Sequence, residues 1–304
     1  MTIASIDLGT NTILLLIAKL DFKNKKIHVI FEDQKIPRIG EGLKPGSPIS
    51  KNKEKRLLDI LEFYKNLANH YQCEHILVTA TNAFRIASNS DYLVKKISKM
   101  FNLKVNVISG EEEAELTFLG CTSEIELDTN VAVIDIGGGS TEIVLGKNRK
   151  IIASKSLPLG VVSLTENYFS NDPPNEEEIL VIRSTINKEL QNLIGKKLKF
   201  DKIIAVAGTP TTLACIKKGT ISYNEALIEG DLLTQSDLEN FINQLAVMNS
   251  VEIKNKFKSV VDGREDVLLA GTMLLFEVMN FFKATELVVS TKGVRYGAIY
   301  ELFF

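Results

Sequence analysis

Residues 2–8 and 12–21 are two apolar, β-branched runs broken by Gly9-Thr10-Asn11, a pattern that predicts a tight hairpin. A third strand-like run extends from Lys26 to Ile36, and the Gly-, Pro- and Ser-rich stretch Gly40 to Ser50 reads as a loop. Leu57, Leu58, Leu61, Tyr64, Leu67 and Ala68 then recur at helical spacing. A strand at His75–Ala80, a helix near Asp91–Phe101, a strand at Leu103–Ile108 and a helix opening near Gly110 follow. Three strands followed by alternating helices and strands predict a mixed sheet, antiparallel in its hairpins and parallel in its crossovers.

At residue 131 the pattern starts again. Val131–Ile136 reads as a strand, Gly137-Gly138-Gly139 as a turn, and Thr141–Leu145 and Arg149–Leu157 as two returning strands. Helical patterns follow at 175–194, 235–247 and 264–283, with short strands at 202–207 and 286–290. Asn171-Asp172-Pro173-Pro174-Asn175 marks a helix start, with Glu176, Glu177 and Glu178 near its positive end. Ile6-Asp7-Leu8-Gly9-Thr10-Asn11 lies over Ile134-Asp135-Ile136-Gly137-Gly138-Gly139 at a constant offset of 128 residues, Asp7 to Asp135. Duplication on this scale predicts two similar domains facing one another across a cleft, with boundaries near 120 and 290.

Composition adds mainly exclusions. The chain has 304 residues, 45% of them hydrophobic, and a net charge of −2. That near-neutral total argues against non-specific nucleic-acid binding, although a local basic channel is compatible with it. No run reaches eighteen apolar residues, so no membrane span is expected. The N-terminus carries Asp7 and no basic segment, and reads as a first strand rather than a signal peptide. Cys73, Cys121 and Cys215 are odd in number and far apart, which suggests a reducing compartment. His70, Cys73 and His75 lie where a helix gives way to a strand, so their side chains would diverge rather than converge on zinc.

The chemistry sits at the glycines. Glycine lets backbone N–H groups approach an anion closely. Hydroxyls at Thr10, Thr12, Ser140 and Thr141 and the amide of Asn11 add donors. Two facing hairpins would grip successive phosphoryl groups, with Asp7 and Asp135 at the cleft floor holding a hydrated Mg²⁺. Each turn read singly is equally a tight turn with a capping aspartate. Gly208-Thr209, between an apolar strand and the helical run Thr211–Ile216, is a third candidate anion site or an ordinary strand-to-helix turn. Arg85, just past a strand end, is either a bidentate phosphate clamp or a surface arginine. Glu111 and Glu112 suit helix capping, whereas Glu113 or Glu142 could activate a water for attack on phosphorus.

Asp7-Leu8-Gly9-Thr10-Asn11-Thr12, Ala80-Thr81-Asn82-Ala83-Phe84-Arg85, Ile108-Ser109-Gly110-Glu111-Glu112-Glu113-Ala114 and Asp135-Ile136-Gly137-Gly138-Gly139-Ser140-Thr141-Glu142 together resemble the exopolyphosphatase / guanosine pentaphosphate phosphohydrolase (Ppx/GppA) family. Gly208-Thr209, Gly263–Gly271 and Ser290–Gly297 extend the resemblance over essentially the whole chain. It implies an α/β architecture of two actin-like (ribonuclease H-like) domains with mixed five-stranded sheets flanked by helices. Domain I would be 1–121 with a closing helix at 294–304, domain II 122–293, and the active site would lie in the cleft between them. The resemblance also implies Mg²⁺ and release of orthophosphate from polyphosphate or pppGpp, with ppGpp as a further ligand. Glu113 matches the proposed catalytic glutamate and Glu142 the second implicated one. Arg85 matches a phosphate-contacting arginine, Gly137, Gly138, Gly139 and Ser140 the second phosphate loop, and Asp135 the metal-associated aspartate.

Thr10 and Thr12 stand where serines are common, which keeps the hydroxyls. The chain is similar to the short, two-domain members, which leaves processivity on long polymers in question. Lys95, Lys96, Lys99, Lys196, Lys197 and Lys199 could track a polyanion, although such runs are more often solvated surface. A cytoplasmic homodimer is expected from the resemblance. The competing function is a non-hydrolytic sensor of (p)ppGpp or another nucleotide, and a third is a small-molecule kinase of the same fold.

Overall fold

In the computed structural model, which describes residues 1–125, 128–192 and 200–304, the opening apolar runs form an antiparallel meander. β1 (Thr2–Leu8), β2 (Ile13–Asp21) and β3 (Lys26–Lys35) are followed by α1 (Lys51–His70), β4 (His75–Ala80), α2 (Asn82–Ile86), α3 (Ser90–Phe101), β5 (Val105–Val107) and α4 (Gly110–Thr122). The second series runs β6 (Asn130–Ile136), β7 (Thr141–Lys147), β8 (Lys150–Leu157), α5 (Val161–Tyr168), α6 (Glu176–Gln191), β9 (Lys202–Val206) and α7 (Gly208–Lys217). It continues through α8 (Glu225–Ile228), β10 (Leu232–Thr234), α9 (Gln235–Leu245), α10 (Ser250–Phe257), α11 (Leu268–Phe282), β11 (Glu286–Ser290) and α12 (Val294–Phe303). Residues Met1–Ser123 and Lys292–Phe304 form one unit, and Glu124–Thr291 the other.

Period-two alternation explains the layers of the first unit. Ala4, Ile6 and Leu8 of β1 point to one face of the sheet, where Leu57, Leu61 and Tyr64 of α1 and Leu93 and Ile97 of α3 cover them. Ile3 points to the other face with Leu16, Ala18 and Leu20, against Tyr296 and Ile299 of α12. Both faces of the sheet are thereby buried. In the second unit Ala132, Ile134, Ile136, Ile143 and Leu145 face a large core built with α6, α7, α9 and α11.

The two sheets share one topology. The first has the order β3-β2-β1-β4-β5, and the second β8-β7-β6-β9-β11 with β10 added at the edge, a sixth strand beyond the expected five. In both, the first strand pairs antiparallel with the second and parallel with the fourth. Even the irregularity is duplicated: a bulge breaks the β2–β3 register between Ile17 and Ala18, and the β7–β8 register between Leu145 and Gly146. These positions keep the 128-residue offset of the aspartates.

The short helices α2, α5, α8 and α10 carry too few turns for a hydrophobic period to announce them. The helical pattern expected over 264–283 begins only at Leu268, because Gly263 (φ +70°) and two successive turns occupy the residues before it. The helix expected over 175–194 is described to Gln191 and opens as the sequence indicates, with a reciprocal Asn175–Glu178 capping box. Its residues 193 and 194 lie outside the described residues.

Candidate active site

Each unit builds its hairpin in the same way. The Gly9 N–H donates to the Thr12 carbonyl at 3.0 Å, and the Gly137 N–H donates to the Ser140 carbonyl at 3.0 Å. A Cβ on Gly9 would sit 2.8 Å from the Thr12 oxygen, and one on Gly137 3.0 Å from the Ser140 oxygen. Close backbone approach thus calls for glycine at Gly9 and leaves little room for a side chain at Gly137, whatever the φ angle.

Behind each tip lies a second strap of backbone. In the first unit Gly40 N–H donates to the Thr10 carbonyl (2.9 Å) and Arg38 N–H to the Asn11 carbonyl (3.1 Å). In the second, Val161 N–H donates to the Gly137 carbonyl (3.0 Å) while Val162 and Ser163 N–H groups meet the Gly138 carbonyl at 2.8 and 3.2 Å. A trans peptide sets its N–H opposite its C=O. With the carbonyls of Thr10 and Asn11 turned toward the strap, the amides of Asn11 and Thr12 point the other way. By the same reasoning the amides of Gly138 and Gly139 point away from α5. In each unit two consecutive amides are thereby turned to the side away from the strap.

Acidic residues stand in the strands at each hairpin. Asp135 stands directly opposite Glu142 across β6 and β7, and the two side chains are 9% and 1% exposed. Ser156 of β8 donates to Glu142 Oε1 at 2.7 Å. Asp7 occupies the same place in β1, opposite Leu14 and beside Thr79 of β4. Thr141 is fully buried and its hydroxyl donates to the Leu159 carbonyl at 2.6 Å. This corrects the expectation of an anion donor there, because that proton is spent on the fold. Ser140, at 7% exposed, closes the hairpin through its carbonyl.

At the end of β9, Ala207 has φ +86°, a backbone state that costs a non-glycine residue on the order of 1–3 kcal/mol and tends to mark functional turns. Gly208 and Thr209 form the first turn of α7, earlier than the sequence pattern indicated. A Cβ on Gly208 would lie 2.6 Å from Nε of the buried Arg264, and Thr209 packs against Gly271 of α11. Burial pulls the Arg264 guanidinium below its ordinary value. Arg264 escapes residue-level reasoning, since a single arginine after a glycine shows no sign of being buried.

In the first unit the segments that follow β4 and β5 meet Glu113 of α4 through Arg85. Ser109 and Glu112 form a capping box at the start of α4, which leaves Glu113 facing inward at 8% exposed. Arg85 of α2 donates through Nη1 to Glu113 Oε2 at 2.6 Å and to the Ile108 carbonyl at 3.1 Å. Burial pushes the Glu113 carboxyl above the usual carboxylate range, against the opposing pull of Arg85. Arg85 is thus no stray surface residue; it is joined to the buried carboxylate.

Among the lysines considered for a polyanion track, Lys96 of α3 is bonded to Glu54 at 2.8 Å, while Lys196, Lys197 and Lys199 lie outside the described residues. Among the described residues no group of three or more His, Cys, Asp and Glu is placed to hold a metal, and no helix is long and apolar enough to cross a membrane.

A duplicated ribonuclease H-like sheet with a glycine hairpin and an aspartate at the same point of each copy defines a protein of the actin-like class. The chain belongs to the Ppx/GppA phosphatase family, whose profile matches residues 17–303. It is 34% identical over 98% of its length to the "bifunctional 3-dehydroquinate synthase/phosphatase" of Fusobacterium nucleatum, of which it spans 46%, about half of that protein. Exopolyphosphatase 2 of Mycobacterium tuberculosis is 29% identical over 91% of this chain and 89% of its own. The guanosine-5'-triphosphate,3'-diphosphate pyrophosphatase of Pseudoalteromonas translucida is 26% identical over 98% and 59%. The crystal structure of the Aquifex aeolicus Ppx/GppA family member superimposes with a TM-score of 0.85 at 31% identity, covering 99% of this chain and 97% of that one.

Proposed function

We propose that this chain is a Mg²⁺-dependent phosphohydrolase that releases terminal orthophosphate from inorganic polyphosphate, from pppGpp, or from both. The observation that supports this most is Glu113: a buried carboxyl held by Arg85 at the end of a parallel strand, with its proton affinity raised toward that of a working base. In the proposed step a water oxygen bonds to the terminal phosphorus and its proton passes to Glu113. The P–O bond to the bridging oxygen breaks, and the electron pair leaves with the shortened phosphate chain. Phosphoryl transfer asks little more of a protein than positioning and charge neutralisation. The outward amides of Asn11, Thr12, Gly138 and Gly139 would bind the phosphoryl oxygens.

The donors present suit Mg²⁺. Asp135 and Glu142 offer two opposed carboxylates without a full protein cage, the usual arrangement for a cation that keeps its waters and takes substrate oxygens. These two residues would hold the ion, with Asp7 the corresponding carboxylate of the first hairpin. When bound, it would neutralise charge on the phosphoryl oxygens. The separated cysteines, none in a disulfide among the described residues, suit the cytoplasmic setting that is part of this reading.

Orthophosphate release should be measured in parallel from polyphosphate of defined length and from pppGpp, with and without Mg²⁺, for the parent chain and Glu113→Gln. Release from either substrate that collapses in the variant supports the reading. Tight binding of both without release would replace it with the nucleotide or polyphosphate sensor.

A further inference from the structure

We propose that Ser156 is a positioning residue for Glu142, holding that carboxylate beside Asp135 in the arrangement that takes Mg²⁺. This deepens the function proposed above and rests on Glu142 being one of the residues that hold the ion.

Asp135, Glu142 and Ser156 stand on one rung that crosses β6, β7 and β8. Residues directly opposite one another in antiparallel strands share a face of the sheet, so the three side chains form a row. Two carboxylates placed this way repel, and glutamate is long enough to turn aside. Ser156 meets Glu142 from the β8 side, the side away from Asp135, and its hydroxyl donates to Oε1 at 2.7 Å. A short bond to an ionised acceptor is a strong one, and it fixes a side chain that is only 1% exposed. A carboxylate accepts on several lone pairs of both oxygens, so the serine leaves acceptor capacity for a cation. Beside it the Thr141 hydroxyl donates to the Leu159 carbonyl at 2.6 Å. The strand that carries Glu142 is thus held at two consecutive residues by the end of β8 and the segment after it.

The serine reaches this rung because of the bulge. β7 and β8 are joined through Asn148 (φ +55°) and Arg149 (φ +59°), a two-residue turn of the kind hairpins favour. Across it Lys147 pairs with Lys150 and Gly146 with Ile151. An unbroken ladder continued from that turn would set Lys155 opposite Glu142. Instead the register shifts between Leu145 and Gly146: Ile152 is left out of the pairing, and Leu145 meets Ala153. A one-residue slip exchanges the faces of a strand, so the bulge brings Ser156 onto the carboxylate row and takes Lys155 off it. A lysine in that place would bring the carboxylates the positive charge that a metal ion would otherwise supply. Bulges recur beside active sites for this reason, since they re-aim a side chain.

The first unit keeps the bulge without the row. Its matching rung reads Asp7, Leu14 and Gln34, and the leucine side chain offers no atom for a donor to hold. Of the two matching rungs, the second unit's carries the held carboxylate.

The test compares Ser156→Ala, which removes the hydroxyl, with Ser156→Thr, which keeps it on a side chain suited to a strand. Ser156→Cys, whose thiol is a poor donor, stands in should the alanine variant fail to fold. Mg²⁺ binding to the full chain is read by calorimetry with an imido-linked phosphate chain present, a reading that needs no turnover. Ser156→Ala should bind Mg²⁺ about five- to tenfold more weakly, at or below the low end of what loss of a supporting hydrogen bond costs a metal site. Ser156→Thr should stay with the parent. In the hydrolysis assay the deficit of the alanine variant should close as Mg²⁺ is raised, a split between metal affinity and kcat that a general loss of packing would not produce. Ser156→Ala should add nothing to Glu142→Gln, because the hydroxyl acts through that carboxylate. Parent-like Mg²⁺ binding in Ser156→Ala, a threonine variant as weak as the alanine one, or an alanine effect that persists in the Glu142→Gln background overturns the proposal. Parent-like Mg²⁺ binding in Glu142→Gln instead detaches Glu142 from the ion, and is distinguishable because that variant leaves Ser156 in place.

Discussion

Asp135 and Glu142 face each other across one rung of the β6–β7 ladder, where the first unit sets Asp7 against Leu14. Opposed residues in an antiparallel pair have Cβ atoms only about 5 Å apart, so duplication has left one hairpin with two carboxylates and the other with one. Glu142→Gln should raise the Mg²⁺ concentration needed for half-maximal hydrolysis by about 10–100-fold, the range seen when metal-supporting groups are lost. Ser156→Ala, which removes only the donor to Glu142, should shift it less. A Mg²⁺ titration of the initial rate decides; identical curves for Glu142→Gln and the parent would detach Glu142 from the ion.

Glu113 should cost the folded chain stability. Its native proton affinity is raised, so the folded form holds the proton more tightly than the unfolded one. The penalty is absent below the ordinary value of 4.5 and fully present once pH passes the raised native value. Glu113→Gln should therefore melt higher than the parent at pH 8, by roughly 2 °C, and the gain should vanish at pH 4.5. A thermal-melting series across pH checks the sign. The same variant should lose about 10²–10⁴-fold in kcat, and the parent's rate should climb with pH above the usual carboxylate range.

The straps behind the hairpins make different predictions. A Cβ on Gly40 would sit 2.1 Å from Cγ2 of Thr10, the end of a side chain, whereas one on Gly160 would sit 2.3 Å from the carbonyl carbon and oxygen of Gly138. Gly40→Ala should cost about 1–3 kcal/mol and be largely rescued by Thr10→Ser, which deletes that methyl. A coupling energy above about 0.5 kcal/mol in a double-mutant cycle checks it. Gly160→Ala has no side chain to trim and should disrupt the second hairpin outright, seen as lost affinity for a non-hydrolysable phosphate chain.

Gly297 of α12 lies against the backbone of α4, where a Cβ would fall 1.8 Å from the Leu116 carbonyl oxygen, and Gly120 meets Gly293 in the same way. Gly297→Ala should push α12 off the helix that carries Glu113. Expected are a stability loss of about 3 kcal/mol or more and a fall in kcat, measured by denaturant unfolding and by turnover. Arg295, which donates to the Leu15 carbonyl at 2.9 Å and pairs with Glu32 at 3.1 Å, holds the same helix to the sheet and should tolerate replacement poorly.

Much of this molecule was legible before any coordinate. Short apolar runs announce β1, β2, β4 and β6 within a residue or two, and the strand expected at 286–290 is β11. The repeated Asp–x–Gly turn announces the duplication, since a tight hairpin restricts which residues can stand at each place. Local chemistry of this kind is written in neighbours along the chain. Tertiary structure decided what depends on residues far apart in sequence. Thr141 spends its hydroxyl on Leu159, Arg264 is buried against Gly208, and the Thr81 hydroxyl is turned from its own helix toward the Leu8 carbonyl. A polar side chain takes its role from which acceptor burial brings within reach, and only the packed sheet settles that.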